Sequence, residues 1–599
     1  MGILRTLWTL RNVVIVVATP LLLLPLLLNG SKQSSAGFCL ILMAVYWATE
    51  VFPIAVTALL PVMLFPMTGL MTGKAVSMTY ITDSSMLFVG GLIMAAAVEH
   101  WNIHKRIALK LLLIIGTEPT RLMIGMMLPS WFLSMWTSNI ATTAMMCPIA
   151  DALLKELQRG EAGAIEEVVK STTNYGTVGY TNPGCEEEQL QNHNLKQLDP
   201  CETDLDTEVV VDSTRHEEVY TSPQRTRLKP SKEHIQLAKA MTISIAYAAN
   251  IGGTTTITGC ASNIILKGLA DEIFQERGLT SPISFGTWLV LGFPVSLLIF
   301  ITLFLWLTLY FRGCSCFKKK GIRSEGIRDF IKGQYKALGP VTFPEIMVIT
   351  LFIILIILWV SRDLGGAGGW GNLFKKKYVT DSAAPTLVSV LLFLIPANLP
   401  AFFKSKNRPL VVKPLLTWRT VHDKVPWGLF LLFGGGFALA QGCKESGLSE
   451  SIREALTVFK ELPVWLTSML VALLTSFITE VVTNTATCTL VLPIIAQLAL
   501  GIGVNPLYLM IPTAVATSYA FMLPVATPPN AMVYVLGYYS MTEMIRSGCV
   551  MNILSVFILT LGVNTWGAEY FSLRTLPVEF SDLEVTTVMS LNSTVTIAT

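Results

Sequence analysis

One stretch of this chain reads Thr479-Glu480-Val481-Val482-Thr483-Asn484-Thr485-Ala486-Thr487, between the strongly apolar runs 464–478 and 490–502. In a bilayer such hydroxyls and amides are costly unless a partner or a ligand satisfies them. The pattern returns in Ser138-Asn139-Ile140-Ala141-Thr142-Thr143, between the apolar runs 122–136 and 144–154. Nine residues after each asparagine comes a proline, Pro148 or Pro493. Two matching polar insertions predict one site that is built from two halves.

The composition is that of a membrane protein. Of the 599 residues, 52% are hydrophobic and 14% are charged, and the mean hydropathy is +0.58. Several apolar runs are long enough to span a bilayer as helices, so an all-α polytopic membrane protein is predicted. The net charge of +3 comes from basic residues that flank apolar runs, and no nucleic-acid partner is expected. The ten cysteines lack metal-ligand spacing, and Cys39, Cys147 and Cys488 are expected to pack as small residues.

The orientation in the membrane follows from charges and glycosylation sequons. Arg5 and Arg11 precede the first apolar run, 13–28, which places the N-terminus in the cytosol. Sequons begin at Asn29 and Asn592, and both are extracellular if the number of spans is odd. About eleven transmembrane helices fit this parity, with the C-terminus extracellular and the two polar insertions as re-entrant hairpins.

The chain divides into six segments by composition. Residues 155–235 form a predicted polar cytosolic linker with little order, and 312–344 form a basic cytosolic loop. In that loop Cys314 and Cys316 are interpreted as free thiols, with palmitoylation as the alternative. The remaining segments are a first membrane half at 1–154, the end of a first repeat at 236–311, a second repeat at 345–570, and an extracellular tail at 571–599.

A constant offset indicates an internal repeat. Phe88-Val89-Gly90-Gly91 matches Phe433-Gly434-Gly435-Gly436 at 345 residues, the separation that also joins Asn139 to Asn484. A further polar stretch, 252–263, corresponds to 526–530, but Asn263 lies 124 residues after Asn139 whereas Asn530 lies 46 after Asn484. The excess of 78 residues is about the length of the polar linker. Repeated polar interruptions of apolar segments are typical of the binding site of a secondary transporter.

The chemistry of the four interruptions suits ions. None of them contains Lys, Arg or His, and their hydroxyl, amide and backbone oxygens are the ligands that a hard cation prefers. The N-termini of interrupted helices favour an anion. Together these features predict anion uptake coupled to a cation. For any single interruption the alternative is a Ser/Thr kink or a tight helix crossing.

Four other charged positions allow simpler interpretations. Glu50 and Glu480 lie at or inside apolar runs, so each is either functional or a carboxylate that faces water at a helix end. Glu480, if functional, is expected to orient the adjacent polar stretch. Arg106, in His104-Lys105-Arg106, is interpreted as part of a solvated interfacial face, and Asp381 as a helix N-cap.

Over essentially its whole length the chain resembles the divalent anion:sodium symporter family, the carriers of sulfate and of Krebs-cycle di- and tricarboxylates. The resemblance rests on the paired Ser-Asn-Thr type motifs and on four further stretches: Ile251-Gly252-Gly253-Thr254, Asn-Ile-His-Lys-Arg-Ile-Ala-Leu at 102–109, Gly434–Gly442, and 520–530 with Thr527-Pro528-Pro529-Asn530. It implies eleven spans, two inverted repeats with re-entrant hairpins, a homodimer in the plasma membrane, and elevator-type alternating access.

The resemblance also implies site residues and no cofactor other than sodium as the coupling ion. One sodium ion would lie around Ser138, Asn139, Cys260, Ala261 and Asn263, and a second around Thr483, Asn484, Ala526 and Asn530. The anionic substrate would meet Asn139, Ile140, Gly253, Asn484, Thr485, Thr527 and Pro528.

Departures from the family pattern leave the substrate open. Thr527 before the two prolines favours the carboxylate branch, whereas Thr254-Thr255-Thr256 is also sulfate-like. Ile140 replaces an expected Thr, and Cys260-Ala261-Ser262 replaces a Gly or Thr followed by Pro. We therefore expect a sodium-coupled importer of succinate, citrate or related anions. The alternatives are a sodium:sulfate symporter, a cation-independent carboxylate exchanger and, from another class, an anion channel; no enzyme is expected.

Overall fold

A computed structural model of the chain describes residues 10–116, 118–175, 232–312, 325–363, 368–375, 378–398 and 413–580. The regular elements in these ranges are helices. Six stretches are long and apolar enough to cross a membrane: Arg11–Leu28, Gly73–His100, Phe285–Phe311, Phe343–Arg362, Asn484–Ile502 and Met541–Tyr570. A helix pair bent by 63°, Trp418–Lys424 with Trp427–Glu445, brings the number to seven. The prediction of an all-α polytopic membrane protein is confirmed, and eleven spans stay a prediction.

In the described residues, seven helices precede the pair of helices that flanks the first polar motif. They are α1 Arg11–Leu28, α2 Lys32–Thr49, α3 Ile54–Thr57, α4 Leu60–Met67, α5 Gly73–Met78, α6 Asp83–His100 and α7 Ile103–Ile115. Ser31, Thr72 and Thr82 begin α2, α5 and α6 by accepting a hydrogen bond from a backbone N–H in the first turn. Cys39 in α2 is fully buried, as its apolar context predicts.

The next four helices contain the first polar motif and the stretch that follows the linker. They are α8 Pro119–Ser134, α9 Asn139–Tyr175, α10 Lys232–Gly253 and α11 Ala261–Gln275. We call α8 and α9 hairpin 1, with residues 135–138 as its tip, and residues 254–260 break 1. Helices α8 and α9 both pack against α10, so hairpin 1 and break 1 belong to one packed unit.

Seven helices follow up to the second polar motif. They are α12 Phe285–Leu307, α13 Glu325–Ala337, α14 Phe343–Arg362, α15 Ala383–Leu394, α16 Trp418–Lys424, α17 Trp427–Glu445 and α18 Leu448–Ala455. Capping boxes start α12 at Ser284 and α14 at Thr342, where each cap exchanges hydrogen bonds with the residue three positions later. Helix α6 packs against α15 and α17.

The chain ends with the second polar motif and its neighbours. The helices are α19 Val464–Ile478, α20 Asn484–Ile502, α21 Pro506–Ala516, α22 Pro528–Val535, α23 Met541–Gly562 and α24 Ala568–Tyr570. We call α19 and α20 hairpin 2, with residues 479–483 as its tip, and residues 517–527 break 2. Helix α11 packs against α20 and α21, and α22 packs against α9 and α10, so the two halves interlock.

The structure moves two segment boundaries. Helix α9 continues to Tyr175, although the polar linker was predicted to begin at 155, because residues 155–169 include four Glu and two Ala, which favour helix. Helix α10 begins at Lys232, before the predicted start at 236, and α13 lies within the predicted basic loop. Residues 176–231 and the positions Cys314, Cys316 and Asn592 lie outside the described residues. Asn29 is exposed at the end of α1.

Two of the simpler interpretations are wrong. Arg106 is buried rather than solvated, and its guanidinium donates to Glu345 Oε1 at 3.0 Å and to the backbone oxygens of Leu338 and Gly339. Asp381 is not an N-cap, since Ser382 occupies that position, and its 1% exposed carboxylate pairs with Arg362 and Lys267. In both cases a group of opposite charge on another helix satisfies the charge, which the local sequence does not reveal.

Candidate functional site

The two hairpin tips share one hydrogen-bond frame. Ser134 Oγ donates to Asn139 Oδ1 at 2.6 Å in hairpin 1, and Thr479 Oγ1 donates to Asn484 Oδ1 at 2.9 Å in hairpin 2. Both donors and both acceptors are 345 residues apart. In each tip a hydroxyl at the end of one helix therefore fixes the asparagine that begins the next.

The two breaks share a second frame. Asn263 Nδ2 donates to the backbone oxygens of Gly253 at 3.2 Å and Thr256 at 2.7 Å. Asn530 Nδ2 donates to those of Ala520 at 2.8 Å and Leu523 at 3.0 Å. In both breaks the acceptors lie ten and seven residues before the asparagine, and equivalent residues are 267 apart. Each asparagine thus closes a loop of unwound backbone at the start of a helix.

The oxygen of each of these amides is buried without a hydrogen-bond donor. Asn263 is 1% exposed and Asn530 is fully buried, and neither Oδ1 has a hydrogen-bond donor. The hydroxyl of Thr483 is likewise buried without a partner. Buried oxygens without donors are costly, about 1–3 kcal/mol each. Because a hard cation prefers amide, hydroxyl and carbonyl oxygens, these three atoms fit a sodium ion at each break.

Four helices begin around these frames, and they pack as two pairs, α11 with α20 and α9 with α22. Cys488, four residues into α20, contacts the backbone oxygen of Ser262, one residue into α11, at 3.5 Å from its Sγ. Tyr538 donates its hydroxyl to Asp151 Oδ1 at 2.9 Å, and these residues lie ten and twelve positions beyond the starts of α22 and α9. The N-terminal parts of α11 and α20 are therefore in contact, and α22 packs against α9.

Side chains link hairpin 1 to break 2 and link the two breaks to each other. Asn139 Nδ2 donates to Asn250 Oδ1 at 3.3 Å, and Asn250 Nδ2 donates to Thr527 Oγ1 at 3.3 Å. Thr517 Oγ1 donates to Ser262 Oγ at 2.8 Å, and Ser518 Oγ lies 3.3 Å from Cys260 Sγ. The structure thus brings residues predicted from both halves into one cluster.

Sequence reasoning missed Asn250, Thr517 and Ser518. Asn250 and Thr517 are fully buried and 267 residues apart, so the offset of the breaks could have identified them once it was known. Asn250 lies just before break 1 and Thr517 begins break 2, so both resemble ordinary residues at the end of a helix.

Glycine allows break 1 to approach the tip of hairpin 1. A Cβ atom on Gly253 would lie 2.4 Å from Asn139 Oδ1, and one on Gly252 would lie 2.2 Å from the backbone oxygen of Trp131. Neither contact is sterically possible for another residue without movement of the backbone. Gly253 therefore serves close packing at the site.

Glu480 resolves one of the open alternatives. It is 3% exposed, and its carboxylate accepts hydrogen bonds from the backbone N–H groups of Met522 and Leu523, both at 2.9 Å. Asn552 Nδ2 also donates to Glu480 Oε1, at 2.7 Å. Glu480 therefore holds the unwound backbone of break 2, rather than orienting its own tip or facing water. Glu50, by contrast, is exposed at the end of α2.

The predicted site residues differ in exposure. Gly253, Asn263, Ala526, Thr527 and Asn530 are buried. Half-buried residues are Ser138, Asn139, Cys260, Ala261, Thr483, Asn484 and Thr485, and exposed ones are Ile140 and Pro528. The oxygens of the asparagine frames are thus shielded, whereas the first residues of the helices are open.

The chain is similar to known proteins over nearly its full length. The family profile "Sodium:sulfate symporter transmembrane region" matches residues 5–573. Solute carrier family 13 member 2 of Homo sapiens is 38% identical over 588 residues, which cover 96% of this chain and 95% of that protein. The Na(+)/dicarboxylate cotransporter 3 of Homo sapiens is 38% identical over 98% of this chain and 97% of its own length. The Na(+)/citrate cotransporter of Rattus norvegicus is 38% identical over 95% of this chain and 96% of its own length. With a profile match across the membrane region and these relatives, the chain belongs to the sodium:sulfate symporter family.

Proposed function

We propose that this protein is a sodium-coupled secondary active importer of di- and tricarboxylates such as succinate and citrate. The observation that carries the proposal is the pair of buried Asn263 and Asn530 oxygens without donors, each in the first turn of a helix that follows an unwound segment. The names of the relatives, dicarboxylate and citrate cotransporters, support the same substrate class. Because the four tips and breaks contain no Lys, Arg or His, the bound anion needs co-bound cations.

The sodium ions occupy two equivalent positions in this proposal. The first is formed by Ser138, Asn139, the backbone at Cys260 and Ala261, and Asn263. The second is formed by Thr483, Asn484, the backbone at Ala526, and Asn530. Sodium supplies a positive charge near the anion and satisfies the orphan oxygens, so that ion and substrate stabilise each other's binding.

The substrate lies between the two tips in this proposal. Asn139, Asn484, Thr485 and Thr527 offer polar groups to it, with Ile140, Gly253 and Pro528 alongside. Helix N-termini complement the negative charge of the carboxylates.

The finer architecture is part of the proposal. It comprises about eleven spans, two inverted repeats with re-entrant hairpins, elevator-type alternating access and a homodimer. The offsets of 345 and 267 support the repeats, and so does a third feature: Asn102 and Gly447, 345 residues apart, both precede a helix with a positive φ, 53° and 76°.

The membrane orientation is proposed as well. The N-terminus is cytosolic, the C-terminus is extracellular, the membrane is the plasma membrane, and Asn29 and Asn592 carry glycans. The exposure of Asn29 is compatible with modification.

Uptake of labelled succinate, citrate and sulfate by cells that express the protein tests the proposal. We expect saturable, concentrative succinate uptake that is lost when choline replaces sodium. Succinate uptake that is unchanged in choline would identify a cation-independent exchanger. Sulfate uptake without succinate uptake would assign the chain to sulfate transport, the second candidate, which the family description favours. Flux that only runs downhill would indicate a channel.

A further inference from the structure

The two pairs of packed helices in the site, α11 with α20 and α9 with α22, differ in the backbone donors at their N-termini. Helices α11 and α20 begin with residues that have free N–H groups, and their N-caps, Cys260 and Thr483, make no side-chain capping bond. In α22 the first two residues are Pro528 and Pro529, which have no N–H, and the third N–H, of Asn530, donates to Thr527 Oγ1. The N-terminus of α22 thus has little to offer an anion.

Helix α9 is also partly capped. The N–H of Ala141 donates to Ser138 Oγ at 3.1 Å. The equivalent hydroxyl in hairpin 2, that of Thr483, makes no such bond and is left without a partner. The uncapped donors of the site therefore concentrate at α11 and α20.

The side chains near these helix N-termini also differ between the two pairs. Ile140, the second residue of α9, is 46% exposed, and Val525, three positions before α22, is 75% exposed. The positions equivalent by the 345 and 267 offsets are Thr485 in α20 and Thr258 before α11, both half-buried. One pair of helix ends thus carries two aliphatic side chains where the other carries two threonines. Trp136 and Val481, also equivalent, are both apolar and do not distinguish the pairs.

From this asymmetry we infer that the α11–α20 side of the site binds a substrate carboxylate and that the α9–α22 side contacts an aliphatic part of the substrate. The inference rests on the proposed function and names its substrate class: dicarboxylates with an alkyl substituent are preferred over tricarboxylates. A carboxylate against Ile140 and Val525 would lose water and gain fewer donors than at α11 and α20, whereas an alkyl group there buries apolar surface.

Competition with labelled succinate uptake tests the inference. In the wild-type protein, 2,2-dimethylsuccinate is expected to inhibit at a lower concentration than citrate. Combining Ile140→Thr with Val525→Thr supplies two hydroxyls to the aliphatic side. This variant is expected to lower the citrate concentration for half-inhibition about tenfold, the effect of one hydrogen bond to a charged group, and to raise that of 2,2-dimethylsuccinate.

Single variants show which side of the site determines the inhibition by each compound. Thr485→Val is expected to weaken succinate, citrate and 2,2-dimethylsuccinate alike, because all three place a carboxylate at α20. Ile140→Val keeps the aliphatic surface and is expected to keep the wild-type order of inhibitors. Ile114→Thr makes the same kind of change at a 70% exposed position on α7, away from the site, and is expected to change neither the order nor the uptake.

The outcomes separate the inference from the proposed function. If succinate uptake is present but the ratio of citrate to 2,2-dimethylsuccinate inhibition is the same in wild type and double variant, the inference is wrong and the function stands. A Thr485→Val effect on citrate alone also overturns the side assignment. If sodium-dependent succinate uptake is absent altogether, the proposed function itself fails. Surface biotinylation of each variant excludes loss through misfolding.

Discussion

In break 1 neutral groups hold the unwound backbone, whereas in break 2 a carboxylate does. Thr256 Oγ1 donates to the backbone oxygen of Met135 at 2.5 Å, and Thr255 Oγ1 donates to Ser296 Oγ at 2.7 Å. Met135 and Glu480 are equivalent by the 345 offset, and in break 2 Glu480 accepts from the backbone N–H groups of Met522 and Leu523. The asparagine frames are nevertheless the same. The frame is thus common to the two breaks, while its support differs with the local neighbours.

The largest expected effect comes from removal of either frame. Asn263→Ala and Asn530→Ala each remove the orphan oxygen and the bonds that close a break, so each is expected to lower sodium-dependent uptake by roughly a hundredfold or more, from the loss of several hydrogen bonds. Labelled succinate uptake at saturating and limiting sodium is the measurement. Asn372→Ala, at an exposed position outside the site, is the matched control. Loss in only one of the two variants, at equal surface expression, would break the equivalence of the frames.

The second-largest effect is expected on stability, from a change to the carboxylate that holds the backbone of break 2. Glu480→Gln replaces charge-assisted bonds and turns an NH₂ group toward backbone N–H groups, so we expect a loss of about 3 kcal/mol in stability. The midpoint of thermal unfolding of the purified protein in detergent is expected to fall, with Glu461→Gln, at an exposed position, unchanged. An unaltered midpoint for Glu480→Gln would mean that break 2 does not depend on the carboxylate.

Sequence reasoning found the hairpin asparagines and the helical class because both depend on local patterns. A polar motif in an apolar run, repeated at a fixed offset, marks Asn139 and Asn484 whatever the packing around them. The partners of Glu480, Arg106 and Asp381 could not be found in this way. Glu480 is 42 residues from Met522, and Arg106 is 239 residues from Glu345. Asp381 is only 19 residues from Arg362, but the chain turns between them. Only the packing of helices decides which charge meets which donor.

The role of Glu480, functional or structural, also could not be decided without knowing how the helices pack. An intramembrane carboxylate suggests function by its cost alone. In the structure that cost is met by backbone N–H groups that the unwinding of break 2 leaves free. The buried carboxylate of Glu480 and the N–H groups of break 2 therefore satisfy each other, although 42 residues separate Glu480 from Met522.

The smallest effect is expected from the neutral support of break 1. Thr256→Val keeps the shape of a fully buried side chain but removes the hydroxyl that donates to Met135. The loss of one neutral hydrogen bond to a carbonyl lowers stability by about 1 kcal/mol, which is less than the loss of the charge-assisted bonds in break 2. The fall in thermal midpoint should therefore be clearly smaller for Thr256→Val than for Glu480→Gln, with sodium-dependent uptake retained. Equal falls would show that the position of a support beside the asparagine frame, and not its charge, determines how firmly the backbone is held.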